Sequence, residues 1–258
     1  MAARAIWKGV IHFGGIAVPV KLFSAVADRN VHFRLLHKKD HSPVRQAMVN
    51  PETQEIVPYN ETRRAYISSG GREVILTQEE LEELKPEKSR EIAILAFLPP
   101  EAIDHRWYDR PYYLGPDGAE DKYAALTQAL QAQDREGLAR WVMRNKEYLG
   151  ALRPFEGYLM LISLRHEEQV VSAEELEPPG GKPLDKRELE MARQLIGMLE
   201  ARFEPGDYRD DYRHQVLELI DKKQKGGRIR RAPRRKTEET PEDLGKALEA
   251  SLKSVSHG

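Results

Sequence analysis

No cysteine occurs among the 258 residues. That excludes a disulfide framework, a thiol nucleophile and a cysteine-ligated zinc site, and it suits a reducing compartment. No apolar run approaches the roughly 20 residues needed to span a bilayer. The opening residues also lack the positive region and long apolar stretch of a signal peptide. A soluble, cytoplasmic protein is expected. The paired glycines, Gly14-Gly15, Gly70-Gly71, Gly180-Gly181 and Gly226-Gly227, form neither a P-loop nor a dinucleotide fingerprint. The eight histidines are scattered: His37 and His41 sit in a polar loop, and His105 and His166 lack the third residue of a triad or metal site. Ser68-Ser69 has no activating base nearby in sequence. The chain reads as a binder, with no catalytic residue, metal, cofactor or small-molecule substrate expected.

What is present is charge, 32% of residues, distributed unevenly under a net of −1. Between Lys222 and Lys236 stand nine cations and no acid: Lys222, Lys223, Lys225, Arg228, Arg230, Arg231, Arg234, Arg235 and Lys236. The tail from Thr237 to Gly258 nets −3, which leaves −7 on residues 1–221. Such asymmetry suggests a polyanion for the basic segment. By composition alone, such a run is as often a solvated tail. Were all nine cations to meet phosphates, binding would fall with a salt slope of about −8. An acidic body that binds a polyanion must place its cations locally. Lys38, Lys39, Arg45, Arg63, Arg64 and Arg72 cluster in one polar stretch, where the plainer reading is a charged loop.

Strand patterns dominate the first hundred residues. Trp7, Gly9, Ile11 and Phe13 share one face, and Ile16, Val18, Val20 and Leu22 another, around a Gly14-Gly15 turn. Val31, Phe33 and Leu35 alternate with polar residues, and Val74–Leu76 and Ile92–Phe97 are apolar runs of strand length. The polar stretch from Lys38 to Gly71 is too long for an ordinary loop, and long insertions are usually functional. Thr77 and Glu80 predict a capping box for a short helix ending before Pro86. A helix is predicted over 121–131, with Tyr123, Leu126 and Leu130 on one face. Residues 138–144 fit helix or strand. Tyr148–Leu152 and Tyr158–Leu164 flank Arg153-Pro154-Phe155-Glu156-Gly157, a hairpin signature.

Past the break at 178–183 the pattern turns helical. Asp185 and Glu188 cap a helix with Leu189, Ala192, Leu195, Ile196 and Leu199 in a stripe, ended by Pro205-Gly206. A second helix carries Tyr208, Tyr212, Val216, Leu219 and Ile220. After the basic linker, residues 242–255 form an amphipathic helix with Leu244, Leu248 and Leu252 in line. A helix this short is marginal alone, so its stripe needs a surface, on its own body or in a partner's groove.

Several stretches carry a closer likeness: Arg4–Ser24, Leu76–Pro86, Arg110–Pro116 (RPYYLGP), Tyr148–Pro154 (YLGALRP) and Tyr208–Arg213. In their wording and order, over residues 4–224, the chain resembles the bacterial Ku family. The resemblance implies a mixed β/α fold: a β-barrel core over 1–184 with an arch-forming excursion at about 38–72. Helices at 185–224, a basic linker at 225–241 and a terminal helix at 242–258 would follow.

It further implies a ring-shaped homodimer around double-stranded DNA ends, in the bacterial cytoplasm at the nucleoid, recruiting the multifunctional end-joining DNA ligase, with no catalysis and no cofactor. The excursion cations would then face phosphates. Arg63, Arg64 and Arg72 are the leading candidates, with Arg45 and Lys38 behind them and the basic linker adding contacts. This linker is short and Arg-rich where many relatives have long Lys-rich tails. Leu244, Leu248 and Leu252 are the candidate partner contacts. The rivals are an adaptor whose basic linker alone binds nucleic acid, and an unrecognised hydrolase.

Overall fold

The structure, a computed structural model, describes residues 4–178, 180, 183, 185–226 and 244–255. The chain divides into two compact units, Met1–Arg29 with Arg34–Glu175, and Asn30–Phe33 with Leu176–Gly258.

In the first unit the elements run β1 (Trp7–Phe13), β2 (Ile16–Ser24), β3 (Arg64–Ile67), β4 (Glu73–Leu76), α1 (Gln78–Glu83), β5 (Glu91–Leu98), β6 (Tyr108–Pro116), α2 (Glu120–Gln133), β7 (Glu136–Met143), β8 (Lys146–Phe155) and β9 (Tyr158–Leu164). Seven strands close a barrel in the order β1-β2-β6-β9-β8-β7-β5. Neighbours are antiparallel except β1 and β5, whose short parallel pairing, Val10–His12 with Glu91–Ala93, makes the seam.

The alternation predicted for the first two strands is the barrel's inside. Ile11, Val18, Val20 and Leu22 are fully buried, with Ile92, Leu114, Trp141, Leu152, Leu159 and Leu161 around them. Gly14, at φ +53, gives the tight β1–β2 turn the left-handed backbone it needs. At Gly150 a Cβ would stand 2.6 Å from the Trp141 ring, so only glycine lets that indole lie across β8. Trp141 also stacks on Tyr148 at 5.3 Å. Helix α2 buries Tyr123, Leu126, Thr127 and Leu130 against the barrel.

Several expectations need correction. Residues 31–35 are not a strand: among the described residues they join no ladder, Leu35 only accepting the Val44 N–H at 3.3 Å, and Phe33 and Leu35 are more than 60% exposed. Alternation without a partner strand leaves the backbone unsatisfied and does not hold. Of the ambiguous 138–144, residues 138–143 lie in strand β7 and Arg144 begins the turn after it. The hairpin near 153–157 turns only at Glu156-Gly157, both at positive φ, while Arg153, Pro154 and Phe155 continue β8. A second such turn, Arg144-Asn145, joins β7 to β8.

Between β2 and β5 the first unit makes a long excursion. Two isolated bridges, Leu36–Pro43 and Val49–Ile56, and the β3–β4 ribbon order it. No residue from 34 to 91 is buried. The capping box of α1 forms: Glu80 N–H donates to Thr77 Oγ1 at 3.2 Å, and Thr77 N–H donates to the Glu80 carboxylate at 2.8 Å.

The second unit holds α3 (Lys186–Met198), α4 (Asp211–Gln224) and α5 (Leu244–Val255). Asp185 and Glu188 make their capping box, but α3 ends at Met198, well before Pro205. Tyr208 precedes α4 rather than lying on it; Asp210 is the cap, accepting the Arg213 amide at 2.9 Å. Neither α3 nor α4 contains a buried residue, and Ile196 and Tyr212 are 69% and 74% exposed. Helix α5 is not alone: it lies against α3, where Arg187 pairs with Glu249 at 2.7 Å.

Candidate nucleic-acid interface

Arg63 and Arg64 enter the ribbon and Arg72 leaves its turn. Pairing runs Arg64–Leu76, Ala65–Ile75, Tyr66–Val74 and Ile67–Glu73. At about 3.3 Å per residue the ribbon is roughly 13 Å long, so Arg63 and Arg64 stand at one end and Arg72 at the other. The structure therefore spreads these three cations along a finger instead of gathering them. At the tip, Ser68 N–H donates to the Arg72 carbonyl at 2.9 Å, and Arg72 N–H donates to Ser68 Oγ at 3.1 Å. Gly71, at φ +75, permits that turn. The backbone of Arg72 is fixed while its side chain is exposed. At the ribbon base, Arg63 and Arg64 border a concavity of about 620 Å³ with Tyr59, Thr77 and Glu79.

The carboxylates between residues 38 and 72 do not neutralise the candidate cations, unlike Glu82, which pairs with Lys85 at 3.5 Å further along the excursion. Asp40, next to Lys38 and Lys39, accepts instead from Ser42 N–H at 3.0 Å and Ser42 Oγ at 2.8 Å, and pairs with His37 at 2.9 Å. Those contacts, the Ser42 backbone first, hold its carboxyl below the usual carboxylate range. Glu55 accepts from Thr53. Among the described residues, no ion pair is made by Lys38, Lys39, Arg45, Arg63, Arg64 or Arg72. Barrel cations differ: Lys8 and Lys21 share Asp117 at 2.9 and 2.8 Å, Arg165 pairs with Asp109, and Arg153 with Glu136.

Of the basic linker, Lys222 and Lys225 lie at the end of α4 and form i, i+4 pairs with Glu218 and Asp221 at 3.6 and 2.8 Å. Lys223 makes no ion pair among the described residues. Arg228, Arg230, Arg231, Arg234, Arg235 and Lys236 lie outside the described residues, as does the side chain of Leu244. Leu248 and Leu252 are half-buried on α5.

A second group of barrel cations had no periodic signal in the sequence. Arg110 lies over the Tyr112 ring at 5.9 Å and Lys146 over Tyr148 at 5.6 Å, with exposed Arg144 at the β7–β8 turn. A turn built of Arg and Asn in left-handed backbone lacks the glycine that would announce it. Among the described residues, no three His, Cys, Asp or Glu side chains are grouped so as to hold a metal ion, and no helix is long and apolar enough to cross a membrane.

Comparison with known proteins adds the lineage. Residues 12–191 match the family model described as the Ku70/Ku80 beta-barrel domain. The chain is 40% identical over 258 residues to "Non-homologous end joining protein Ku 1" of Geotalea uraniireducens, covering 99% of this chain and 98% of that protein. It is 37% identical over 264 residues to "Non-homologous end joining protein Ku" of Mycobacterium tuberculosis H37Rv, covering 98% and 96%. It is 36% identical over 233 residues to the protein of that name from Coxiella burnetii, covering 88% and 85%.

Proposed function

The chain belongs to the Ku family, and on that premise we propose that it binds double-stranded DNA ends in non-homologous end joining, without catalysis, as a homodimeric ring at the bacterial nucleoid. The observation that carries this reading is the excursion between β2 and β5. Lys38, Lys39, Arg45, Arg63, Arg64 and Arg72 are exposed there without carboxylate partners among the described residues, on a segment that buries no residue. Cations left unpaired on a spread-out ribbon suit phosphates, which recur along a duplex whatever its sequence.

A second copy is the cover proposed for the apolar side chains. Ile56, Tyr59, Tyr66 and Ile67 on the excursion are 63–73% exposed, and a two-stranded ribbon is marginal without packing. Helices α3 and α4 likewise present apolar side chains that nothing among the described residues of the second unit buries. Two excursions closing on each other make a bore lined by Arg63, Arg64 and Arg72, with Arg45 and Lys38 flanking. Threading then supplies persistence that individual phosphate contacts do not, because a closed ring leaves a duplex only at an end.

The segments divide the work: the barrel with its excursion (1–184) encircles, the linker (225–241) adds phosphate contacts, and the helices (185–224) together with the terminal helix (242–258) recruit the end-joining ligase. With α5 lying on α3, the ligase meets the two helices as a pair rather than a free Leu244–Leu248–Leu252 stripe. The rival adaptor is separated by two variants of the full chain. Serines at Arg228, Arg230, Arg231, Arg234, Arg235 and Lys236 leave most end binding intact in the ring reading, and serines at Arg63, Arg64 and Arg72 remove most of it. The reverse ranking sinks the ring reading.

A further inference from the structure

We propose that the groove between the β1–β2 turn, the end of β5 and α2 docks a partner protein's short segment that is apolar at its centre and carries carboxylates at both ends. The groove encloses about 750 Å³. It opens at the barrel seam, where β1 and β5 pair over only three residues; beyond Ala93, among the described residues, no strand covers that edge of β5. Phe13 and Phe97 meet there edge to face at 5.9 Å. Phe97 and Ile16 remain 45% and 47% exposed. On the opposite wall Ala125 and Ala129, one turn apart on α2, leave a furrow above Leu126 and Leu130. Large apolar side chains held around an open furrow mark an interaction surface.

Charge names the occupant's chemistry. The lining includes Lys122 and Arg135 and no carboxylate. Neither cation makes an ion pair among the described residues; Arg135 spends one N–H on the Asp134 carbonyl at 2.9 Å. Lys122 stands in the first turn of α2, and Arg135 lies just past its end at Gln133. At 1.5 Å per residue α2 runs roughly 16 Å from Lys122 to Gln133, the length of about eleven helical residues, with Arg135 just beyond it. A segment with apolar side chains in the furrow and an acid at each end satisfies both cations, which a neutral or basic segment leaves unpaired. None of the excursion cations borders this groove, so the inference stands apart from the end-binding reading.

The test is fluorescence anisotropy on the full chain with a labelled twelve-residue peptide, glutamate pairs at both ends and leucines at helical spacing between them. Saturable binding is expected. It should weaken at least tenfold in Ala129→Trp, which fills the furrow, and in Lys122→Glu/Arg135→Glu, and vanish for a peptide with lysines in place of the glutamates. DNA-end binding by both variants should be unchanged. No saturable binding, equal binding of the lysine peptide, or undiminished binding to the charge-reversed variant overturns the proposal. A changed oligomeric state of Ala129→Trp by light scattering overturns it in favour of a second copy. Should that variant fail to fold, the charge reversal, confined to exposed side chains, decides alone.

Discussion

Leu159 on β9 donates its backbone N–H to the hydroxyl of Tyr123 on α2 at 2.7 Å, and that hydroxyl donates onward to the Leu114 carbonyl on β6 at 2.6 Å. One side chain thus joins α2 to two neighbouring barrel strands. Burial pushes the Tyr123 phenol up, which keeps it protonated and able to donate. Tyr123→Phe would orphan a buried donor and a buried acceptor, each costing about 1–3 kcal/mol. The expected loss is about 2–3 kcal/mol in urea unfolding, with end binding unchanged at 25 °C.

Glu136 is 1% exposed. Its Oε1 meets the Arg153 guanidinium as an ion pair outside hydrogen-bond angles, and Tyr108 donates to Oε2 at 3.1 Å. Removing one member of such a pair strands the other. Arg153→Met should cost about 3–5 kcal/mol, and adding Glu136→Leu should restore most of it. A double variant no more stable than Arg153→Met would show that the pair is not coupled.

Asp117 sits between Lys21 and Lys8, which hold its carboxyl below the usual carboxylate range, Lys21 first. A depressed folded value means the contribution is complete above the unfolded value of about 3.9 and fades as pH falls through the folded one. The thermal-stability gap between the natural protein and Asp117→Asn should therefore be present at neutral pH and close as pH drops below about 4. Salt should narrow it too, since the carboxylate faces solvent. A gap that widens in acid contradicts the assignment.

The salt dependence of end binding reports on the excursion. Each lost phosphate contact lowers the slope of log affinity against log salt by about 0.9. Arg63→Gln/Arg64→Gln/Arg72→Gln should flatten it by about 2.7 per protomer engaged. An unchanged slope places these arginines away from the phosphates.

Much of the barrel was legible because burial writes a period of two: Ile11, Val18, Val20 and Leu22 alternate as inner faces must. Caps were legible as well, since Thr77–Glu80 and Asp185–Glu188 are local chemistry. β6 was hidden because it carries Pro111, Gly115 and Pro116, which read as loop until neighbouring strands satisfy the backbone. Phe33 and Leu35 misled for the opposite reason, a strand pattern with no strand beside it. For the candidate interface, sequence supplied the residue types. It could not show that Asp40 is occupied by His37 and Ser42, leaving Lys38 and Lys39 without it.

The most direct measurement is competition for a labelled linear duplex by unlabelled DNA of the same length and sequence, supplied either linear or covalently closed. Linear competitor should displace the protein and the closed circle should not. Equal displacement by both would mean that nothing is threaded.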